Sequence, residues 1–303
     1  MSASWKITAF ARKPVVQDAL LAHDEIDDWD YDVVVAGSEI AEDKPDDWVL
    51  EAWLPRNPTK ADKTAIAGLF AGKAPKLTVE KVQQQDWLTL SQQGVDPIRA
   101  GRFYVHTPDH PPSPDPALTN FAIPASQAFG TGQHETTAGC LAMLTLMKRS
   151  GVAARNHADI GTGTGLLAFA AMDLWPRALA TASDIDAVCT QVIEDNAAAN
   201  HFTMGHRAGE LTMVIADGMD DPLLQARGPY DLLIANILAG PLVELARDFA
   251  ASVTDGGNVV LAGLLETQEP AVRKAYRAAG FRLAKRLVNG DWSILWLRKR
   301  RKF

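Results

Sequence analysis

Asp159-Ile160-Gly161-Thr162-Gly163-Thr164-Gly165 sets three glycines at alternating positions between a short apolar approach and Leu166-Leu167-Ala168-Phe169-Ala170-Ala171-Met172, which reads as the first turns of a helix. A strand that turns through glycines into a helix brings N–H groups and bare backbone close to a ligand, as a cofactor cradle must. Nineteen residues beyond Gly165 comes Asp184, the last residue of a strand over 179–184. In that arrangement of strand, glycine turn, helix, strand and acid, the carboxylate accepts from both ribose hydroxyls of an adenosine-containing cofactor. Asp186 reads as a cap for the helix over 187–200. Asp217 follows a third strand, 211–215, where it either accepts from an adenine amino group or caps the next turn. Asn236 ends a fourth strand at the edge of the sheet where α/β domains bind ligands.

A second polar loop, Phe129-Gly130-Thr131-Gly132-Gln133-His134-Glu135-Thr136-Thr137, precedes a helix with apolar positions at Cys140, Leu141, Leu144 and Met147. A glycine and hydroxyl loop at a helix start supplies donors to a carboxylate, a phosphate or a carbonyl. His134 has two readings, a hydrogen-bonded support of the loop or a base. Glu135 reads as a first-turn acid favourable to its helix. His106, His110 and His157 show no metal-ligand spacing with each other or with the cysteines. Cys140 and Cys189, the only two cysteines, lie in apolar helical patterns and read as buried thiols. Neither a metal nor a covalent nucleophile is expected.

These residues need an α/β domain to position them. Strands over 258–262 and 293–297 and a helix over 268–279 complete the alternation, giving an expected seven-stranded Rossmann-like domain over residues 121–303. Upstream, the order of strand, helix, strand, strand, helix, strand over 5–10, 14–22, 31–35, 47–54, 59–70 and 77–82 predicts a small α+β ferredoxin-like domain over residues 1–107. Thr59 and Asp62 are its candidate helix caps and Gly72 the stop. Five prolines at 108, 111, 112, 114 and 116 predict a linker over 108–120. Trp5, Trp29, Trp48, Trp53 and Trp87 crowd the small domain, either as core or as anchors of a protein-docking face.

A formal charge of −7, from 30 basic and 37 acidic residues, demands no nucleic-acid ligand but leaves room for a local basic face. With no uncharged run of about 20 residues and no signal-like apolar start, the expectation is a reduced, soluble, cytoplasmic protein with no membrane partner.

Two cofactor classes compete for the first loop. A dinucleotide asks for Gly-x-Gly-x-x-Gly. The tighter Gly-x-Gly-x-Gly found here resembles motif I of class I S-adenosylmethionine-dependent methyltransferases. Asn236-Ile237-Leu238-Ala239 resembles the Asn/Asp-Pro-Pro-Tyr/Phe element of amino-group methyltransferases, with Ile-Leu-Ala in place of the prolines and the ring. Taken with Ala128–Thr137, Asp159–Ala168 and Asp184-Ile185-Asp186, the stretch Ala235–Leu242 resembles the PrmA family, the methyltransferases of ribosomal protein L11. The resemblance is strong over residues 120–300. Upstream it rests on size, topology and the Trp87 region, where that family carries a substrate-recognition domain.

The resemblance implies S-adenosylmethionine as cofactor and S-adenosylhomocysteine as product. It puts cofactor contacts at Phe129, Gly130, Thr131 and Thr137 on the polar loop and its helix, and at Asp159, Gly161, Gly163 and Gly165 on the glycine loop. Asp184, Ile185, Asp217 and Asn236 complete the set, with Asn236 and His134 as the catalytic candidates. The implied substrates are lysine ε-amines or the N-terminal α-amine of ribosomal protein L11, acted on by a monomer without a direct nucleic-acid requirement. A related group methylates the β subunit of electron-transfer flavoprotein but generally lacks the N-terminal domain. A nicotinamide oxidoreductase and a non-catalytic cofactor-binding module are the readings from other classes. The chain departs from the family at Thr162 and Thr164, where Cys and Ser are usual, at Ala125-Ser126-Gln127, where a Pro-Gly pair is common, and at His157 in a strand usually more apolar.

Overall fold

The computed structural model describes residues 4–24, 26, 29–30, 33–40, 46–82, 96–124 and 133–301. The chain divides into two compact units, Met1–Gln93 and Gly94–Phe303.

The first unit runs β1 (Ser4–Arg12), α1 (Lys13–Asp24), β2 (Val34–Glu39), β3 (Asp47–Leu54), α2 (Lys60–Gly68) and β4 (Leu77–Val82). Its antiparallel sheet has the order β2-β3-β1-β4, the ferredoxin-like arrangement expected. Alternation turns Ile7, Ala9, Leu50, Ala52 and Leu54 to one face, where they meet Val16, Ala19 and Ile66 of the helices. Thr59 caps α2 in a capping box with Asp62. The Arg56 guanidinium beside Asp62 holds that carboxyl at about 2. β2 begins three residues later than its expected start at Tyr31. Trp5, Trp29, Trp48 and Trp53 are half-buried. Lys6 lies over the Trp53 ring and Lys13 over Trp48, at 4.9 and 5.2 Å. Trp87 lies outside the described residues.

The second unit opens with a three-stranded sheet of β5 (Ile98–Ala100), β6 (Phe103–His106) and β7 (Thr119–Ala122), followed by α3 (Gln133–Arg149). This corrects the expected division. β5 and β6, which fall within the expected bounds 1–107, belong to the second unit, and the proline segment connects β6 to β7, which pair in parallel. The cause is hydrophobic. Phe103 and Phe121 stack at 5.5 Å and are buried in one cluster with Leu141 and Leu144 of α3.

The large sheet follows: β8 (Asn156–Ile160), α4 (Leu166–Leu174), β9 (Leu179–Asp184), α5 (Val188–Ala199), β10 (Thr203–Met204), β11 (Glu210–Ile215), α6 (Pro222–Arg227) and β12 (Tyr230–Asn236). α7 (Ala239–Glu244), α8 (Ala246–Ser252), β13 (Val253–Leu265), α9 (Glu269–Ala278), β14 (Phe281–Asn289) and β15 (Trp292–Lys299) complete it. The order is β10-β11-β9-β8-β12-β13-β15-β14. It therefore holds eight strands rather than seven, the extra one being the two-residue edge strand β10. β14 is the strand that hydrophobic patterning left unnamed, because its central residues are exposed and basic. Central strands such as β12 and β13 are apolar on both faces, with α3, α4 and α5 on one side and α7, α8 and α9 on the other. Among the described residues no helix is long and apolar enough to cross a membrane.

Candidate functional site

The chain runs from β8 outward through β9 and β11, then returns to the other side of β8 as β12 and β13. The crevice between β8 and β12 is the switch point, where open α/β sheets bind ligands. Register places the residues there. Ile160 pairs with Ser183 on one side and Ala235 on the other, so the next residues, Asp184, Gly161 and Asn236, stand level on three adjacent parallel strands.

The loop is built from below. Asp159 is 1% exposed, and its Oδ2 accepts from Thr162 Oγ1 at 2.7 Å and from the Ala168 N–H at 3.1 Å. Burial pushes this carboxyl up to about 7 against those two bonds. Asp159, expected among the cofactor contacts, is thus turned under the loop as its support. Thr162, a departure from the family pattern, supplies the hydroxyl that satisfies it. Gly161, Gly163 and Gly165 all have positive φ, and the N–H groups of Gly161 and Thr162 both donate to Ser183 O. α4 starts at Gly165, which offers no side-chain cap, and with Asp159 taking the Ala168 N–H the donors ahead of Ala168 are left to a ligand.

Asp184 joins this loop to β9: its Oδ2 accepts from the Gly163 N–H at 2.9 Å and its Oδ1 from the Asp186 N–H at 3.1 Å. Each oxygen keeps acceptor capacity for a hydroxyl. Asp186 accepts from the Val188 N–H at the start of α5, the capping role read from sequence. Ile185 is 69% exposed, and Ile215 and Leu238 are also exposed along this edge, giving it apolar flanks. Asp217 is exposed beside them. Cys189, half-buried near Asp184, has its thiol raised to about 11 by burial and by that carboxylate.

Asn236 is half-buried and its carboxamide makes no hydrogen bond to a described residue. Two glycines fix the backbone after it. A Cβ on Gly161 would lie 2.3 Å from Ile237 Cγ2, and one on Gly263 would lie 2.2 Å from Ile237 O. Ile237 is thus clamped between the turn after β8 and a positive-φ bulge in β13. Sequence reasoning missed Ile237, Gly263 and also Asn196, a buried side chain whose amide donates to Thr164 O at 2.9 Å. The available signal was a lone glycine inside the apolar run Val259–Leu265, which marks a bulge or close backbone approach.

Thr137 is buried on the second turn of α3. Asn289 Nδ2 donates to Glu135 O at 3.0 Å and ties the start of that helix to the end of β14. Phe129, Gly130 and Thr131 lie outside the described residues. His134 falls within α3, its side chain outside the description.

A model of the family Ribosomal protein L11 methyltransferase (PrmA) matches residues 16–300. The chain belongs to the PrmA family. It is 36% identical over 270 residues to the ribosomal protein L11 methyltransferase of Agrobacterium fabrum, covering 88% of this chain and 90% of that one. It is 38% identical over 255 residues to a Caulobacter protein of the same name, covering 83% of each. Among solved structures, the ribosomal protein L11 methylase of Lactobacillus delbrueckii subsp. bulgaricus aligns with a TM-score of 0.56 at 25% identity, over 68% of this chain and 98% of that one. Membership in PrmA thus extends across both units, beyond the blocks of the large sheet that first suggested it.

Proposed function

We propose that this chain transfers methyl groups from S-adenosylmethionine to amino groups of ribosomal protein L11. The observation that carries the reading is the level placement of Asp184, Gly161 and Asn236 at the switch point of a PrmA-family chain. The residues suit the cofactor: a carboxylate with spare acceptor capacity for ribose hydroxyls, a bare glycine turn that a Cβ would fill, and first-turn helix donors ahead of Ala168 for a carboxylate. Apolar Ile185 and Ile215 flank the acid and suit a base. The cofactor supplies an electrophilic methyl on a sulfonium. A dinucleotide fits less well, because the third glycine comes one residue too early for a diphosphate to sit over the helix start.

The chain's own part is positioning. The attacking amine must be neutral and in line with the methyl, whereas a free lysine has a pKa near ~10.4. Asn236 accepts the amine's hydrogens through its side-chain carbonyl. The exposed Leu238 side chain beside it lowers the polarity around the nitrogen and favours the neutral form. Thr137 and the loop ahead of α3 hold the methionine end, His134 supports that loop, and the first unit recognises the protein substrate.

The test is incubation of the purified chain with labelled S-adenosylmethionine and recombinant ribosomal protein L11, followed by mass spectrometry. Stepwise methyl additions at lysines or the N-terminal amine are expected. Absence of incorporation together with absence of calorimetric cofactor binding would sink the reading. Preferential methylation of the electron-transfer flavoprotein β subunit, run in parallel, would keep the chemistry and change the substrate.

A further inference from the structure

Residues 270–303 hold 11 of the 30 lysines and arginines and only one of the 37 acids, Asp291. The remaining 19 basic and 36 acidic residues leave the rest of the chain at −17, against +10 here. So steep a division within one chain creates a local field that the net charge conceals.

Folding concentrates this charge. α9 buries Val272 and Tyr276 and turns Arg273, Lys274 and Arg277 outward. Together with β14 and β15 they border a groove of about 570 Å³ with a floor of Tyr276, Phe281, Leu283 and Leu297. The rim is Arg273, Lys274, Arg277 and Arg282, and no acid lines it. Tyr276 is 0% exposed, and its hydroxyl has no partner among the described residues. Lys274, Arg277 and Lys285 make no ion pair among the described residues, whereas Arg273 and Arg286 are committed to Glu269.

Edge protection explains part of this. β14 is an edge strand, and Lys285 and Arg286 on it discourage strand addition. Lys274 and Arg277 are on a helix and protect no edge, nor does edge protection call for an apolar groove beneath them. The groove is of ligand size, and its rim offers cations to a run of negative charges. Lys285, exposed on β14, adds a further cation along that strand. β14 alone extends about 30 Å, which is room for several phosphates.

We propose that the groove between α9 and the β14–β15 edge binds single-stranded RNA, with successive phosphates on its basic rim. The choice of RNA over other polyanions rests on the ribosomal substrate proposed above. Binding here holds the enzyme near ribosomal RNA and takes no part in methyl transfer.

Fluorescence anisotropy of the full chain with a labelled, unstructured RNA of about 12 nucleotides, titrated at several salt concentrations, tests this. Saturable binding that weakens with salt is expected. Lys274→Glu with Arg277→Glu should weaken it about tenfold or more and flatten the logarithmic salt slope by about 1.4. Calorimetric binding of S-adenosylmethionine by this double variant shows that it folds. No binding at low salt, or equal binding by the double variant, overturns the proposal. Equal competition by polyglutamate or by phosphatidylglycerol vesicles assigns the face to another macromolecule, and complete displacement by micromolar AMP assigns it to a free nucleotide; either also overturns it. Methylation of ribosomal protein L11 without RNA is measured alongside. Methylation without RNA binding sinks this inference alone, and RNA binding without methylation sinks only the functional reading.

Discussion

The carboxylate of Asp184 accepts the backbone N–H of Gly163 at 2.9 Å, making the end of β9 and the turn after β8 one hydrogen-bonded unit. The acid is oriented before any ligand arrives, so little ordering remains to be done on binding. Asp184→Ala should weaken S-adenosylmethionine binding by about 1–3 kcal/mol, through lost ribose contacts and a loosened turn. Asp184→Asn, which keeps one acceptor, should fall between. Calorimetry reads this directly, and an unchanged dissociation constant for the alanine variant refutes the assignment.

In the proposed mechanism Asn236 serves the methyl-transfer end. Asn236→Ala should lower kcat roughly 10- to 100-fold, since a 1 Å misplacement of a reacting atom already costs about that much. Cofactor affinity should stay within about threefold. A variant that turns over normally but binds cofactor poorly would overturn the proposed role.

Gly263 and Gly280 make a controlled pair. Both have positive φ, but a Cβ at Gly263 meets Ile237 O at 2.2 Å, whereas one at Gly280 meets nothing within 4 Å. Gly280→Ala should cost only the left-handed backbone penalty, about 1–2 kcal/mol. Gly263→Ala adds a displacement of Ile237 and should cost about 2–4 kcal/mol while also slowing turnover. Urea midpoints give the first comparison and methyl incorporation the second. Equal losses at the two sites would remove the clamp from the account.

His157 and Asp159, two residues apart on one face of β8, respond to burial in opposite directions. His157 is fully buried with both ring nitrogens unpartnered among the described residues, and burial lowers its pKa to about 4. The unfolded chain takes up its proton below about 6.5, so stability is lost as pH falls from there towards 4. Asp159, raised to about 7, is protonated in the folded state first, so its contribution is lost as pH rises from about 4 towards 7. The two slopes oppose each other. His157→Leu should gain about 2 kcal/mol over the native chain on going from pH 8 to pH 5, and Asp159→Asn should gain on going the other way. Urea midpoints at the two pH values check both signs.

Much of the site was legible because it is written in backbone chemistry. The glycine turn, the acid after β9 and the asparagine after β12 are residue types with few substitutes, at spacings fixed by strand and helix lengths. The first unit was legible from its order of elements and from Thr59 and Asp62, whose capping box is local in sequence. Asp159 was placed correctly on its strand but not in its role, since burial decides whether a carboxylate faces a ligand or a loop. The fate of Phe103 and Phe121 was hidden for the same reason: an alternating strand shows that it has an apolar face and not which helix covers it. Ile237 reads as an ordinary apolar residue until Gly161 and Gly263 close on it in space.

The order of strands at the far edge also bears on how the protein is made. β15 lies between β13 and β14, so β14 leaves the ribosome before the only strand it pairs with in the sheet. Until Trp292–Lys299 have been synthesised, the apolar run of β13 has an uncovered edge and the Asn289 anchor for α3 has nowhere to dock. A nascent or prematurely terminated chain thus presents a long adhesive strand, a target for chaperones or for aggregation. β15 is what seals this edge of the sheet, and the large sheet is finished only once that strand has been made.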